Sequence, residues 1–136
     1  MPDEIIAGRL RGVRVLAVDD NDDSRDVLTL SLQQAGALVT TASSAREALL
    51  LTPVVDVIVT DMSMPDEDGA WLLAQVEQSR RPIPVIVLTG LADHYNFTGV
   101  HFARVLRKPF NLQHLCWEIR AVLGATGQVR DDVEEI

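Results

Sequence analysis

Residues 54–69 read Val54-Val55-Asp56-Val57-Ile58-Val59-Thr60-Asp61-Met62-Ser63-Met64-Pro65-Asp66-Glu67-Asp68-Gly69. The β-branched run from Val55 to Thr60 ends on a carboxylate, Asp61. Such a run, mostly β-branched and apolar, predicts a strand buried on both faces, as in a parallel sheet. Pro65 and the acidic turn up to Gly69 stop it. Asp61 therefore stands at the carboxyl end of a central strand, where open α/β sheets hold their ligands. A strand-end aspartate by itself more often caps the following turn, so its meaning depends on its company.

Working outward, apolar segments alternate with helical patterns on both sides. Val13–Asp19 predicts a first strand, ending in Asp19-Asp20-Asn21-Asp22-Asp23-Ser24. A helix is expected from about Ser24, with Val27, Leu28, Leu32 and Ala35 on one face and Gly36 as its stop. Leu38–Ala42 predicts a second strand. Ser43 or Ser44 then caps a helix through Leu51, with Glu47 spaced for a capping box on Ser44. Beyond Gly69 a helix is expected to about Ser79, with Leu72, Leu73 and Val76 buried, and Ile83–Thr89 predicts a fourth strand. Residues 90–102 are irregular. Ala103–Arg107 predicts a fifth strand, and Leu112–Leu123 a last helix closed by Gly124. Residues 1–12 read as a leader or linker and 125–136 as an acidic, disordered tail, with one domain over 13–124. Strands alternating with helices predict a doubly wound α/β fold with a parallel sheet.

Composition narrows the function classes. The chain has 136 residues, 47% hydrophobic, with a net charge of −8. That charge opposes direct nucleic-acid binding, which needs a basic face. No run of about 18 apolar residues suggests a membrane span, and the start lacks the pattern of a secretory signal. The single cysteine, Cys116, excludes an intrachain disulfide framework and a thiolate metal site. These features point to the cytoplasm. Lys108 is the only lysine among 12 basic residues. A compact ammonium against that arginine background suggests a task a planar guanidinium cannot do.

The predicted strand ends carry Asp19 and Asp20, Asp61, Thr89 and Lys108. In a parallel sheet these ends share one edge. Clustered carboxylates repel unless they share a cation, and hard oxygen ligands suit Mg²⁺. A hydroxyl and an ammonium beside them suit a phosphoryl group. The chemistry this supports is attack by Asp61 on an activated phosphorus to give an aspartyl phosphate. Taken singly, Asp19-Asp20 could be helix caps, Thr89 a plain strand residue and Lys108 a loop charge; their joint arrival in this order argues otherwise.

The chain resembles the receiver domains of two-component response regulators over residues 13–124. The matching pieces are Val-Leu-Ala-Val-Asp-Asp at 15–20, Val-Ile-Val-Thr-Asp-Met-Ser-Met-Pro-Asp-Glu-Asp-Gly at 57–69, Val-Ile-Val-Leu-Thr-Gly at 85–90 and Arg-Lys-Pro-Phe at 107–110. The resemblance implies a flavodoxin-like five-stranded sheet of order 2-1-3-4-5. It also implies a phosphorylation-dependent switch rather than an enzyme, either stand-alone or part of a hybrid histidine kinase. Asp61 would be the phosphoacceptor. Asp20, Asp61 and the backbone carbonyl of Ser63 would hold Mg²⁺, with Asp19 acting through water. Thr89 and Lys108 would hold the phosphoryl group, and Lys108–Pro109 would be cis. The implied donor is a histidine kinase or a histidine phosphotransfer protein.

Two departures stand out. Val105 occupies the position, three before the lysine, where the family often has a switching aromatic. The segment from Thr89 to Lys108 is a few residues short, which leaves room for only a short or irregular fourth helix. The sequence predicts instead that Gly90–Phe102 orders on phosphorylation. Trp71 and Trp117 fall opposite the buried stripes of their helices, Trp117 as a candidate interface anchor. Two rival readings follow: a pseudo-receiver that only binds a partner, and a phosphatase built on Asp20-Asn21-Asp22. The latter lacks a cap domain or further catalytic elements in the sequence. An EF-hand loop fails because Arg25 stands where Gly is needed.

Overall fold

The computed structural model describes residues 8–90 and 101–126. Five parallel strands lie in the order β2-β1-β3-β4-β5. They are β1 (Arg14–Val18), β2 (Leu38–Ala42), β3 (Val57–Asp61), β4 (Val85–Thr89) and β5 (Arg104–Arg107). Among the described residues four helices accompany them: α1 (Asp22–Gln34), α2 (Ala45–Leu51), α3 (Gly69–Glu77) and α4 (Leu112–Thr126). A single 3₁₀ turn, Thr52–Val54, leads from α2 into β3. The fold is the flavodoxin-like one expected.

All five residues of β3 and of β4 are buried, and both strands are apolar until their carboxyl ends, where Thr60-Asp61 and Thr89 stand. Strand alternation divides the core. Val15, Ala17, Val57, Val59, Ile86 and Leu88 face one side, under Leu28 and Leu32 of α1 and Leu115, Ile119 and Leu123 of α4. Leu16, Val18, Ile58 and Val85 face the other, under Ala45 and Ala48 of α2 and Leu72, Leu73 and Val76 of α3.

The helix ends follow capping chemistry. Asn21 caps α1, its side chain accepting from Ser24 N–H at 2.8 Å, so α1 begins at Asp22 rather than near Ser24. Ser44 caps α2 by accepting from Glu47 N–H at 3.1 Å. Glu47 answers, but on Ser43 N–H at 2.7 Å, one residue earlier than the expected box. Asp68 caps α3 through Trp71 N–H at 3.0 Å. Gly124 does not end α4, which continues to Thr126.

Several expectations are corrected. Val27 is 62% exposed, because the α1 stripe facing the sheet is narrow and holds Leu28 and Leu32. Trp71 is only partly exposed and packs against the α2–α3 side of the core, because α2 lies beside it. Trp117, 58% exposed, lies as expected, and Cys116 is buried. Residues 8–12, read as the end of a leader, form a turn on the domain. Leu10 is fully buried, and its N–H donates to the Ala35 carbonyl at 2.7 Å. Gly36, at φ +97, admits this turn: a Cβ there would stand 3.2 Å from Gly8 Cα and from Arg11 N. The expectations for the fourth helix, for the ordering segment and for the acidic tail fall wholly or mainly on residues 91–100 and 127–136, outside the described residues.

At the amino edge of the sheet, Asp56 is a hub. It accepts from the Arg14 main-chain N–H at 2.9 Å and from the Arg14 guanidinium at 2.8 Å, and pairs with Arg81 at 3.6 Å.

Candidate functional site

Strand register decides what meets at the opposite edge. Val18 pairs with Thr60, Asp61 with Leu88, and Thr89 with Arg107. Asp19 follows β1 and so arrives level with Asp61, Thr89 lies one residue further out on β4, and Lys108 follows β5. Asp19, Asp61 and Thr89 are buried, at 5%, 6% and 3% exposure, while Asp20 is exposed. Each of Asp19, Asp20 and Asp61 offers a carboxylate oxygen, and these oxygens lie within 4.8 Å of one another. Three hard anionic oxygens at that spacing fit a divalent cation that keeps part of its water shell.

Lys108 reaches across the end of β4, and its Nζ lies 2.5 Å from Asp61 Oδ1. Its backbone is fixed as well, because Lys108 N–H donates to the Thr89 carbonyl at 2.8 Å. The Lys108–Pro109 peptide is cis, as expected. Ser63 lies in the loop two residues after Asp61 and is exposed. The structure thus gathers Asp19, Asp20, Asp61, Thr89 and Lys108 at one edge. Val105 is 46% exposed on β5, apart from these strand-end groups, and Trp117 stands on α4.

The sequence did not signal three further supports. Arg25, on the first turns of α1, donates to the Asp19 main-chain carbonyl at 2.9 Å and to Asp22 at 2.7 Å. The Asp22 hydrogen bond holds its guanidinium pKa above the usual value. Gly69 donates its N–H to the Met62 carbonyl at 3.1 Å, and a Cβ there would stand 3.2 Å from the Asp61 carbonyl oxygen. The loop between them bends through Asp66, at φ 65. A cleft of about 460 Å³ adjoins the site; Asp19 and Lys108 line it together with apolar Leu28, Pro109 and Phe110.

Fold and edge together define a flavodoxin-like α/β domain with an acidic site and one ammonium at the carboxyl ends of its strands. The chain belongs to the response regulator receiver domain family, whose model matches residues 15–120. It is 33% identical over 129 residues to the virulence transcriptional regulatory protein PhoP of Salmonella typhimurium, a match covering 91% of this chain and 58% of that protein. The chain thus spans about half the length of the curated relatives it matches. Among solved structures, a response regulator receiver domain protein from Clostridium thermocellum superposes with a TM-score of 0.77 at 29% identity, over 85% of this chain and 97% of that one. The chemotaxis protein CheY4 of Vibrio cholerae gives 0.71 at 33% identity, over 82% and 98%. Among the described residues, no helix is long and apolar enough to cross a membrane.

Proposed function

We propose that the chain is a phosphorylation-dependent switch of a two-component system, with Asp61 as phosphoacceptor. The observation that carries this reading is the convergence on Asp61 of two further carboxylates within 4.8 Å and of the Lys108 ammonium at 2.5 Å. Asp20, Asp61 and the Ser63 main-chain carbonyl would hold Mg²⁺, with Asp19 acting through water. Bound there, Mg²⁺ offsets the negative charge that otherwise keeps a phosphoryl dianion from an acidic cluster.

The donor is a phosphohistidine on a histidine kinase or a phosphotransfer protein. A carboxylate oxygen of Asp61 forms the new bond to phosphorus as the P–N bond breaks, and the imidazole leaves with the electron pair and takes up a proton. The Lys108 ammonium pairs with one phosphoryl oxygen, and the Thr89 hydroxyl donates to another. Those contacts differ between the free and the phosphorylated chain, so they bias a two-state element.

Intact mass after incubation with acetyl phosphate and Mg²⁺ tests this. One added phosphoryl group is expected, absent from Asp61→Asn and absent when Mg²⁺ is chelated. An unmodified wild-type mass would overturn the reading in favour of a partner-binding pseudo-receiver. Steady turnover of a phosphomonoester would favour a phosphatase.

A further inference from the structure

We propose that Arg46 is a positioning residue for the acidic site, pinning the loop that follows Asp61 through Glu67 and Trp71. The proposal rests on the reading of Asp61 and its neighbours as a Mg²⁺-dependent phosphoacceptor site.

The loop runs from Met62 to Asp68 and carries Ser63. Its two ends are closed locally, by Gly69 N–H on the Met62 carbonyl and by the Asp68 cap on α3. Next to the Asp68 cap it is also held from outside, by α2. Arg46 Nε donates to Glu67 Oε1 at 3.0 Å, and a terminal guanidinium nitrogen donates to Oε2 at 3.3 Å, a two-pronged contact. The same guanidinium lies 5.2 Å from the centre of the Trp71 ring. One edge of the group is therefore spent on the loop while its face rests on α3. Only a planar cation does both, which separates arginine from lysine here.

The anchor is referenced to the rest of the site. Arg46 is the second residue of α2, which Ser43 and Ser44 join directly to the end of β2. The last residue of β2, Ala42, accepts the Asp19 N–H at 3.2 Å. The loop with Ser63 and the strand end with Asp19 are thus held to one frame. The contact is superficial, with the Arg46 side chain 71% exposed. Exposed pairs add little to global stability, so removing this one should act on the loop more than on the fold.

The sign of the effect discriminates. Removing a positive charge from beside an acidic cluster should by Coulomb's law tighten Mg²⁺ binding. Positioning requires the reverse. Mg²⁺ titration by calorimetry on the full chain should show Arg46→Ala binding about three- to fivefold more weakly than wild type. Arg46→Lys should fall between, and the melting temperature should move by only a few degrees. Adding Glu67→Gln to Arg46→Ala should weaken binding less than Glu67→Gln does in the wild-type background, because the two groups act as one. Amide exchange from Met62 to Asp68 should quicken in Arg46→Ala without Mg²⁺. Equal or tighter binding by Arg46→Ala overturns the proposal, even if exchange quickens. Should Arg46→Ala unfold, Arg46→Gln carries the same comparison with the same criterion. A wild-type chain that binds no Mg²⁺ would refute the phosphoacceptor reading instead, so the two failures are distinct.

Discussion

Lys108 Nζ meets Asp61 Oδ1 at 2.5 Å although the two residues stand 47 positions apart and β4 lies between their strands. In the proposed function this ammonium is the group that pairs with a phosphoryl oxygen. Lys108→Arg keeps the charge but changes reach and shape. Mg²⁺ affinity should stay within about twofold, because the carboxylates supply it. The hydrogen-exchange response to a beryllofluoride–Mg²⁺ phosphoryl mimic should shrink. A variant that responds like wild type would make the lone lysine a matter of composition.

Gly69→Ala should impair the site more than the fold. The new Cβ would press on the Asp61 carbonyl oxygen from 3.2 Å and on the Met62 sulfur from 3.3 Å. The Asp61 carbonyl belongs to a central strand that cannot yield. A stability loss of about 1 kcal/mol is expected, together with slower phosphorylation by acetyl phosphate. Urea denaturation and timed intact mass give the two values; an unchanged rate would show that the loop absorbs the strain alone.

Asp56→Ala should do the opposite. It removes hydrogen bonds from the Arg14 main chain and guanidinium, at 9% exposure of the aspartate. A loss of about 2 kcal/mol is expected, at the lower end for charged partners because both arginines reach water. The rate of phosphorylation per folded molecule should not change, since Asp56 lies at the far edge of the sheet.

Cys116 makes stability depend on alkaline pH. Burial pushes its thiol from 9.0 up to about 11. Between those values the unfolded chain releases a proton that the folded chain retains, so stability falls as pH rises from 9 to 11. The contribution is fully present below pH 9. Thermal melts of wild type and Cys116→Ala across this window should converge as pH rises. A constant difference would show that the thiol ionises freely in the folded state.

The strand-end groups were legible because their signal is local. A β-branched run fixes where a strand stops, and parallel topology brings every stop to one edge, so Asp19, Asp61, Thr89 and Lys108 could be placed from spacing alone. Arg46, Arg25 and Asp56 could not. Their partners are Glu67 and Trp71, a main-chain carbonyl, and arginines 42 and 25 positions away. No periodicity marks such contacts. Val27 and Trp71 were misassigned for a related reason. A helical stripe gives the direction of the sheet but not the width of the buried face, nor which helix lies alongside. Leu10 was missed because one apolar residue between Gly8 and Gly12 makes no pattern.

One strand, β3, is bracketed by two aspartates, Asp56 before it and Asp61 at its end. They are separated by roughly 17 Å of extended chain. In a living cell, losses at the two would look different. Substitutions around Asp56 should lower the amount of protein that survives quality control while each surviving molecule signals normally. Replacing the Asp61 carboxylate itself should leave abundance largely intact and silence every molecule. A variant library scored for both abundance and output would therefore divide along the axis of this strand, and positions that break the division would mark where folding and signalling share an atom.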